Sequence, residues 1–312
     1  DCVFSDNTTS GQGGGIYCMD GSSPKLFNCT ISNNTALFYG GGIYCLNASN
    51  PIFTNCRVLG NTGGRGGGLY CTASDPQVID CTFSGNSGLS SGGGIYCYNS
   101  SSPVITGTTI SNNSAYFGGG GIYSTGGGSN PSVSNCIIEG NVVDNYGGGF
   151  FSDYTSSPTV TDCAILGNSA TLGGGVYCES SSHPTLIDCE FANNTASNSG
   201  GGIFLTTSSP TITGCLITGN TAVNNGGGIN AYYISNPELS YTTVCSNDPD
   251  NVFGSWVDNG RNTLSEECAS ECLGDLTGDG QVDGADLGML LSLFGGKNLD
   301  GDFNGDGLIN GA

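Results

Sequence analysis

The chain has 312 residues, with 26 acidic against 5 basic side chains and a formal charge of −21. That balance argues against nucleic acid and anionic membrane, which need a basic surface, and favours multivalent cations as partners. No apolar run approaches the roughly 18 residues that would span a bilayer; the longest, at 289–294, contains a serine, and 56 glycines with only 10% charged residues do not describe an ordinary globule.

The chain opens in mid-repeat at Asp1-Cys2-Val3-Phe4 and stops at Asn310-Gly311-Ala312. It therefore reads as a segment of a longer protein, and the missing leader says nothing about the compartment. The repeat is built around Gly92-Gly93-Gly94-Ile95-Tyr96-Cys97, which recurs at residues 13–18, 40–45, 66–71 and 173–178. Weaker copies end in Ser124, Ser152, Leu205 and Ala231, giving nine copies spaced 26 to 28 residues apart. Self-similarity at that period indicates a solenoid.

Aligned from its proline, each coil gives columns. Two residues after it stand Leu26, Phe53, Val78, Ile105, Val133, Val160, Leu186, Ile212 and Leu239, all apolar, with mixed neighbours such as Lys25, Gln77, Thr159 and Glu238. Apolar in, polar out is the pattern of a half-buried strand. Four residues after the proline come Asn28, Asn55, Asp80, Gly107, Asn135, Asp162, Asp188 and Gly214, interrupted only by Tyr241. Asn, Asp and Gly tolerate left-handed backbone best, so a one-residue bend is predicted there. Next comes a short strand ending in asparagine: Phe4/Asn7, Ile31/Asn34, Val58/Asn61, Phe83/Asn86, Ile110/Asn113, Ile138/Asn141, Ile165/Asn168, Phe191/Asn194, Ile217/Asn220 and Val244/Asn247. Stacked amides would bond one another as an internal ladder. A variable turn follows, then the triple glycine and the Ile-Tyr-Cys strand. Three short strands per coil predict an all-β chain, a right-handed parallel β-helix of about nine coils, in which each rung is about 4.8 Å high.

The paired FxxN and GGGIY signatures resemble the repeats of polymorphic outer membrane proteins, a family of surface-exposed β-helical passengers. The resemblance covers residues 1–247 and implies adhesion or display at a cell surface. The family's transporter barrel is not in this sequence.

Residues 248–272 break the register with Pro249, Trp256, Cys268 and Cys272 and read as a cap and linker, since an open end rung invites aggregation. In residues 273–312 the run Asp275-Leu-Thr277-Gly-Asp279-Gly280-Gln281-Val-Asp283-Gly-Ala-Asp286 puts oxygen ligands at positions 1, 3, 5, 7, 9 and 12 of a Ca²⁺ loop, with glycine at the sharp turn. Helical spacing follows in Leu287, Leu290, Leu291 and Phe294, so a small α-helical module is expected. A second loop offers Asp302, Asn304, Asp306, Leu308 and Asn310 and ends before its twelfth position. Two such half-motifs resemble a type I dockerin, with Thr277 departing from the usual Asp or Asn. The resemblance implies calcium binding by these residues and docking to a cohesin-type partner.

Sixteen cysteines lean towards an extracellular, oxidising location, and no CxxC pair suggests zinc. One column holds Cys2, Cys29, Cys56, Cys81, Cys136, Cys163, Cys189 and Cys215; the other holds Cys18, Cys45, Cys71, Cys97 and Cys178. Disulfides between columns would be lost in pairs, yet Cys136, Cys189 and Cys215 lack a following partner. Stacked free thiols are therefore favoured over a disulfide framework, and Cys245 with Cys268 or Cys272 is the expected bridge.

Catalytic candidates are sparse. Asp162 and Asp188 stack in the bend column, Asp153 and Glu179 form a second stacked carboxylate pair, and His183 sits in an exposed turn. Hydrolysis of a polysaccharide needs convergent carboxylates, and a lyase acting on uronates needs cations that Lys25, Arg57 and Arg65 scarcely supply. The stronger expectation is binding. Tyr17, Tyr44, Tyr70, Tyr96, Tyr123, Phe151, Tyr177 and Phe204 each follow the inward Ile column by one residue, so alternation turns them outward as an aromatic stripe for a polysaccharide. The favoured alternative is a self-stabilising aromatic stack covered by the variable turns, or a face that packs against them. Three roles follow: a secreted or surface binding protein, a polysaccharide-degrading enzyme delivered to a cohesin-bearing complex, or a structural spacer.

Overall fold

A computed structural model describes residues 1–268. The coil that begins at Lys25 shows how each turn is made: strands Lys25–Phe27, Thr30–Ser32, Thr35–Tyr39 and Ile43–Leu46 follow one another round the axis. Each pairs in parallel with its equivalent in the next coil, as in Leu26 with Phe53, Ile31 with Val58, Ala36 with Gly63 and Ile43 with Leu69. Repetition gives four parallel ladders, named here for their marker residues: the proline ladder, the asparagine ladder, the turn ladder and the glycine ladder. The solenoid of about nine coils is thus as expected, with one strand more per coil. The turn ladder escapes sequence reading because only a small buried residue recurs in it: Ala36, Gly63, Gly88, Val143, Ala170, Ala196 and Ala222.

The corners are left-handed residues. In the predicted bend column Asn28, Asn55, Asp80, Asn135, Asp162 and Asp188 have φ between 50° and 53°, and Tyr241 follows at 52°. A second bend precedes each ladder asparagine, for example Asn33 at 54° and Asn112 at 54°. The triple glycine makes the third. Gly92 has φ +64°, and a Cβ on Gly93 would sit 2.5 Å from the carbonyl oxygens of Gly120 and Ser114, so the next coil can stack only on bare backbone.

The interior is a narrow apolar column, with Ile31, Phe53, Phe83, Ile95, Ile110 and Ile138 fully enclosed. Burying one such side chain is worth about 1.5–3 kcal/mol. Beside it runs the asparagine ladder. Asn113 Nδ2 donates to Asn141 Oδ1 at 3.0 Å and to the Phe83 carbonyl at 3.0 Å, while its backbone N–H donates to the same Asn141 oxygen at 2.9 Å. The geometry repeats from Asn34 to Asn220, so these enclosed amides keep both donors and the acceptor occupied.

The column cysteines are free thiols, whereas Cys245 and Cys268 are in disulfide form. Burial pushes the Cys81 thiol up to about 12, with its backbone hydrogen bonds acting in the opposite direction. The thiols behave as small hydrogen-bonding groups. Cys81 Sγ approaches the Ile79 carbonyl at 3.2 Å and accepts the Cys56 N–H at 3.3 Å; in the next coil Thr108 Oγ1 bonds the Thr106 carbonyl at 3.0 Å and accepts the Cys81 N–H at 3.2 Å. That equivalence explains how a hydroxyl stands where other coils have a thiol, as Thr108 does in the coil whose other column position is Ser124. It also removes most cysteines from the argument for an oxidising compartment.

Parallel pairing continues past residue 247. Val252–Gly254, Val257–Asp258 and Thr263–Ser265 extend the glycine, proline and asparagine ladders by a shorter coil, and Trp256 packs against the end of the core. The first part of the segment expected as cap and linker is therefore itself a coil, and the first compact unit runs from Asp1 to Glu266.

Candidate functional site

The aromatic column stands in register on the outer side of the glycine ladder, with Tyr70 paired to Tyr44 and Tyr96, and Tyr177 to Phe151 and Phe204. It is not an exposed stripe. Tyr44, Tyr70, Tyr96, Tyr123, Phe151, Tyr177 and Phe204 are 0–6% exposed, and only Tyr17, at 46%, meets solvent. The cover comes from Tyr39, Tyr146 and Leu172 in or beside the turn ladder, together with Leu46. Tyr39 lies 4.8 Å from the Tyr70 ring centre and Tyr146 lies 4.9 Å from that of Tyr177. Alternation had set the face correctly, but the turn ladder folds over that face to bury a large aromatic area. The rings form a second apolar core. Burial pushes the Tyr44 hydroxyl up to about 12 and drives Tyr96 and Tyr123 well above their usual value.

Beside Tyr96 and Tyr123 lies a cleft of about 530 Å³, lined further by Arg65, Tyr98, Thr125, Tyr154 and Ser180. Arg65 ends the bulged strand Thr62–Arg65, so its guanidinium comes from the turn ladder. Tyr98 ends Ile95–Tyr98 and is 41% exposed. A Cβ on Gly126 would meet the Tyr98 ring at 2.8 Å, so glycine there lets the ring lie against the backbone. Tyr154 is 65% exposed and has φ 48°. Left-handed backbone is the ordinary geometry of this corner, shared by Asn47, Asn99, Ser180, Thr207 and Tyr233, and a bulky residue in it is held there by its surroundings.

Asp153 does the holding. Its carboxylate accepts the Tyr154 N–H at 2.6 Å on Oδ1 and the Tyr123 hydroxyl at 3.2 Å on Oδ2. One coil on, Glu179 accepts the Tyr177 hydroxyl at 3.1 Å. Burial raises the pKa of both carboxyls, and the charge of Asp153 raises Glu179 further. Adjacent carboxyls with raised pKa are what general acid chemistry asks for. Here, however, Asp153 is enclosed beneath the cleft and bonded to the groups that shape it.

The other candidates separate. Asp162 and Asp188 are corner residues at φ 51° and 50°. His183 Nδ1 accepts the Ser209 N–H at 2.9 Å in an exposed turn. Among the described residues no group of three or more His, Cys, Asp or Glu is placed to hold a metal ion. The calcium-loop residues Asp275, Thr277, Asp279, Gln281, Asp283, Asp286, Asp302, Asn304, Asp306, Leu308 and Asn310 lie outside the described residues.

Sequence reasoning found Tyr96 and Tyr123 and missed Tyr98, Tyr154 and the position of Arg65. The corner that holds Tyr154 carries small or polar residues in most coils (Asp20, Asn47, Ala73, Asn99, Gly126, Ser180 and Thr207) and an aromatic again at Tyr233, so the column gives only a weak signal for it.

The model of the family described as right handed beta helix region matches residues 1–138, 67–244 and 148–274, which together span most of the chain. No curated protein and no solved structure matches it.

Proposed function

This chain belongs to the right-handed β-helix region family, and on that scaffold we propose a non-catalytic binding protein that holds a saccharide chain in the Arg65–Tyr154 cleft. The observation that carries the reading is the cleft itself. Two exposed rings, Tyr98 and Tyr154, stand beside the hydroxyls of Thr125, Thr155 and Ser180 and one guanidinium. Sugars lay their C–H faces on such rings and give their hydroxyls to such groups, and a mostly apolar concavity with a few aimed polar atoms suits a small ligand. Adhesion or display at a cell surface fits the polymorphic outer membrane protein resemblance. Tethering by calcium to a cohesin-type partner fits the dockerin resemblance of residues 273–312.

Depletion binding to a panel of insoluble polysaccharides tests the reading. Tyr98→Ser with Tyr154→Ser should weaken binding at least tenfold while the β-sheet circular dichroism stays unchanged. Equal binding by the double variant would refute it.

One observation favours a second reading, polysaccharide hydrolysis: the raised pKa values of the neighbouring carboxyls Asp153 and Glu179. Release of new reducing ends that disappears in Glu179→Gln would select it over binding alone.

A further inference from the structure

A second cleft comes from a single residue. Along the glycine ladder the outward column runs Tyr177, Phe204, Asn230, Phe253 in register. Asparagine is much smaller than the ring that each earlier coil supplies. A cleft of about 550 Å³ opens at this point, walled by Leu172, Asn198, Val223 and Asn224 and edged by Phe204 and Tyr232. Tyr232 is 57% exposed, and its ring centre lies 6.1 Å from that of Phe204, which makes an accessible aromatic platform at the mouth.

Asn230 itself is 2% exposed. Its Nδ2 donates to the Asn225 carbonyl at 3.2 Å, and its Oδ1 has no hydrogen-bond partner. The bond to Asn225 fixes the amide's orientation, because the flipped rotamer would set two oxygens against each other. An enclosed acceptor left unbonded costs on the order of 1–3 kcal/mol, and this chain saturates its other enclosed asparagines through the ladder. Among the described residues only Ser156 Oγ and Ser182 Oγ share this state, and such an atom is completed either by a water or by a group that arrives from outside. The lining residues carry no charge, although the chain as a whole stands at −21.

We infer that the Asn230 cleft is a binding site for an uncharged saccharide unit, one hydroxyl donating to Asn230 Oδ1 while the sugar's C–H face lies on Tyr232. The asparagine amides of the wall, Asn198 and Asn224, are hydrogen-bonded to each other at 2.9 Å and present a preset polar edge. Uncharged ligands follow from the lining: a carboxylated sugar would find no cation here, whereas the other cleft offers Arg65. This site shares the saccharide reading of that cleft but rests on its own geometry, and the two fail separately.

The test is calorimetric titration of the whole chain with neutral oligosaccharides of β-1,4-glucan, xylan, mannan and α-1,4-glucan, with oligogalacturonate as the charged control. Wild type should bind at least one neutral oligosaccharide at millimolar concentration or tighter. Asn230→Phe, which restores the ring, should lower that affinity at least tenfold and raise the melting temperature, since it fills the cleft and removes the unbonded acceptor. Tyr232→Ala, at an exposed position, should lower affinity likewise and serves if the first variant does not fold. Tyr98→Ser with Tyr154→Ser serves as the background that silences the other cleft, and in it the effects of Asn230→Phe and Tyr232→Ala should persist. Absence of binding by every neutral sugar means that water alone fills the cleft and overturns the inference. So does equal binding by Asn230→Phe, or loss only in the Tyr98/Tyr154 pair.

Discussion

Asn141 accepts from Asn113 and donates to Asn168, so its amide joins two neighbours at once. Asn141→Ala would leave the backbone N–H and one Nδ2 hydrogen of Asn113 without an acceptor, while Asn168 Oδ1 keeps the backbone N–H of residue 141; at about 1–3 kcal/mol for each enclosed donor the expected loss is about 3 kcal/mol. Denaturant unfolding should show it as a lower midpoint, whereas Asn145→Ala in the exposed turn should stay within about 0.5 kcal/mol of wild type. The ladder was legible in the sequence because each asparagine's partner is another asparagine, which forces ten identical choices. Asn230 was not, because its role depends on a ring that is missing. Asp153 and Glu179 add a pH effect. Burial makes both harder to ionise folded than unfolded, so the folded state holds more protons and stability falls as pH rises above the ordinary carboxylate range. Asp153→Asn with Glu179→Gln removes that loss. The melting temperature of the double variant should gain on wild type from about pH 4 upward; a difference that does not change with pH would mean that the carboxyls titrate normally.

At the scale of the element, the glycine ladder separates what patterning reveals from what it leaves open. Strand alternation told which way Tyr70 and Tyr96 point, since Leu69 and Cys71 take the inner side. It did not say which residues close over them, because Tyr39, Tyr146 and Leu172 come from segments such as Thr-Ala-Leu-Phe-Tyr and Ser-Ala-Thr-Leu that share no visible pattern. Buried rings answer differently from surface ones. Tyr70→Ser with Tyr96→Ser should lower stability by about 3–5 kcal/mol for each ring lost and weaken the folded circular dichroism signal; a fully stable double variant would mean that the cover is not formed in solution. Gly93→Ala should be as damaging for the opposite reason, since its Cβ has no room against the backbone of the next coil.

For the whole molecule, coils that repeat without change of register suggest that length is adjustable. Removal of residues 141–167 joins Gly140 to Asn168, which occupies the ladder position of Asn141. The shortened chain should fold with a full β-sheet spectrum and a lower melting temperature; an unfolded product would show that the coils are not interchangeable. The far end of the sequence is tested separately. Calcium titration should give one strong site that Asp279→Ala abolishes, and binding that survives this change would refute the dockerin-like assignment of residues 273–312. The asparagine ladder has one more consequence. Every side-chain amide from Asn34 to Asn220 points its N–H towards the following coil and its oxygen towards the preceding one. Their dipoles therefore add head to tail, each polarising the next, as peptide dipoles do along a helix. The ladder thus lays one polar axis along the solenoid, negative towards its first coil and positive towards its last.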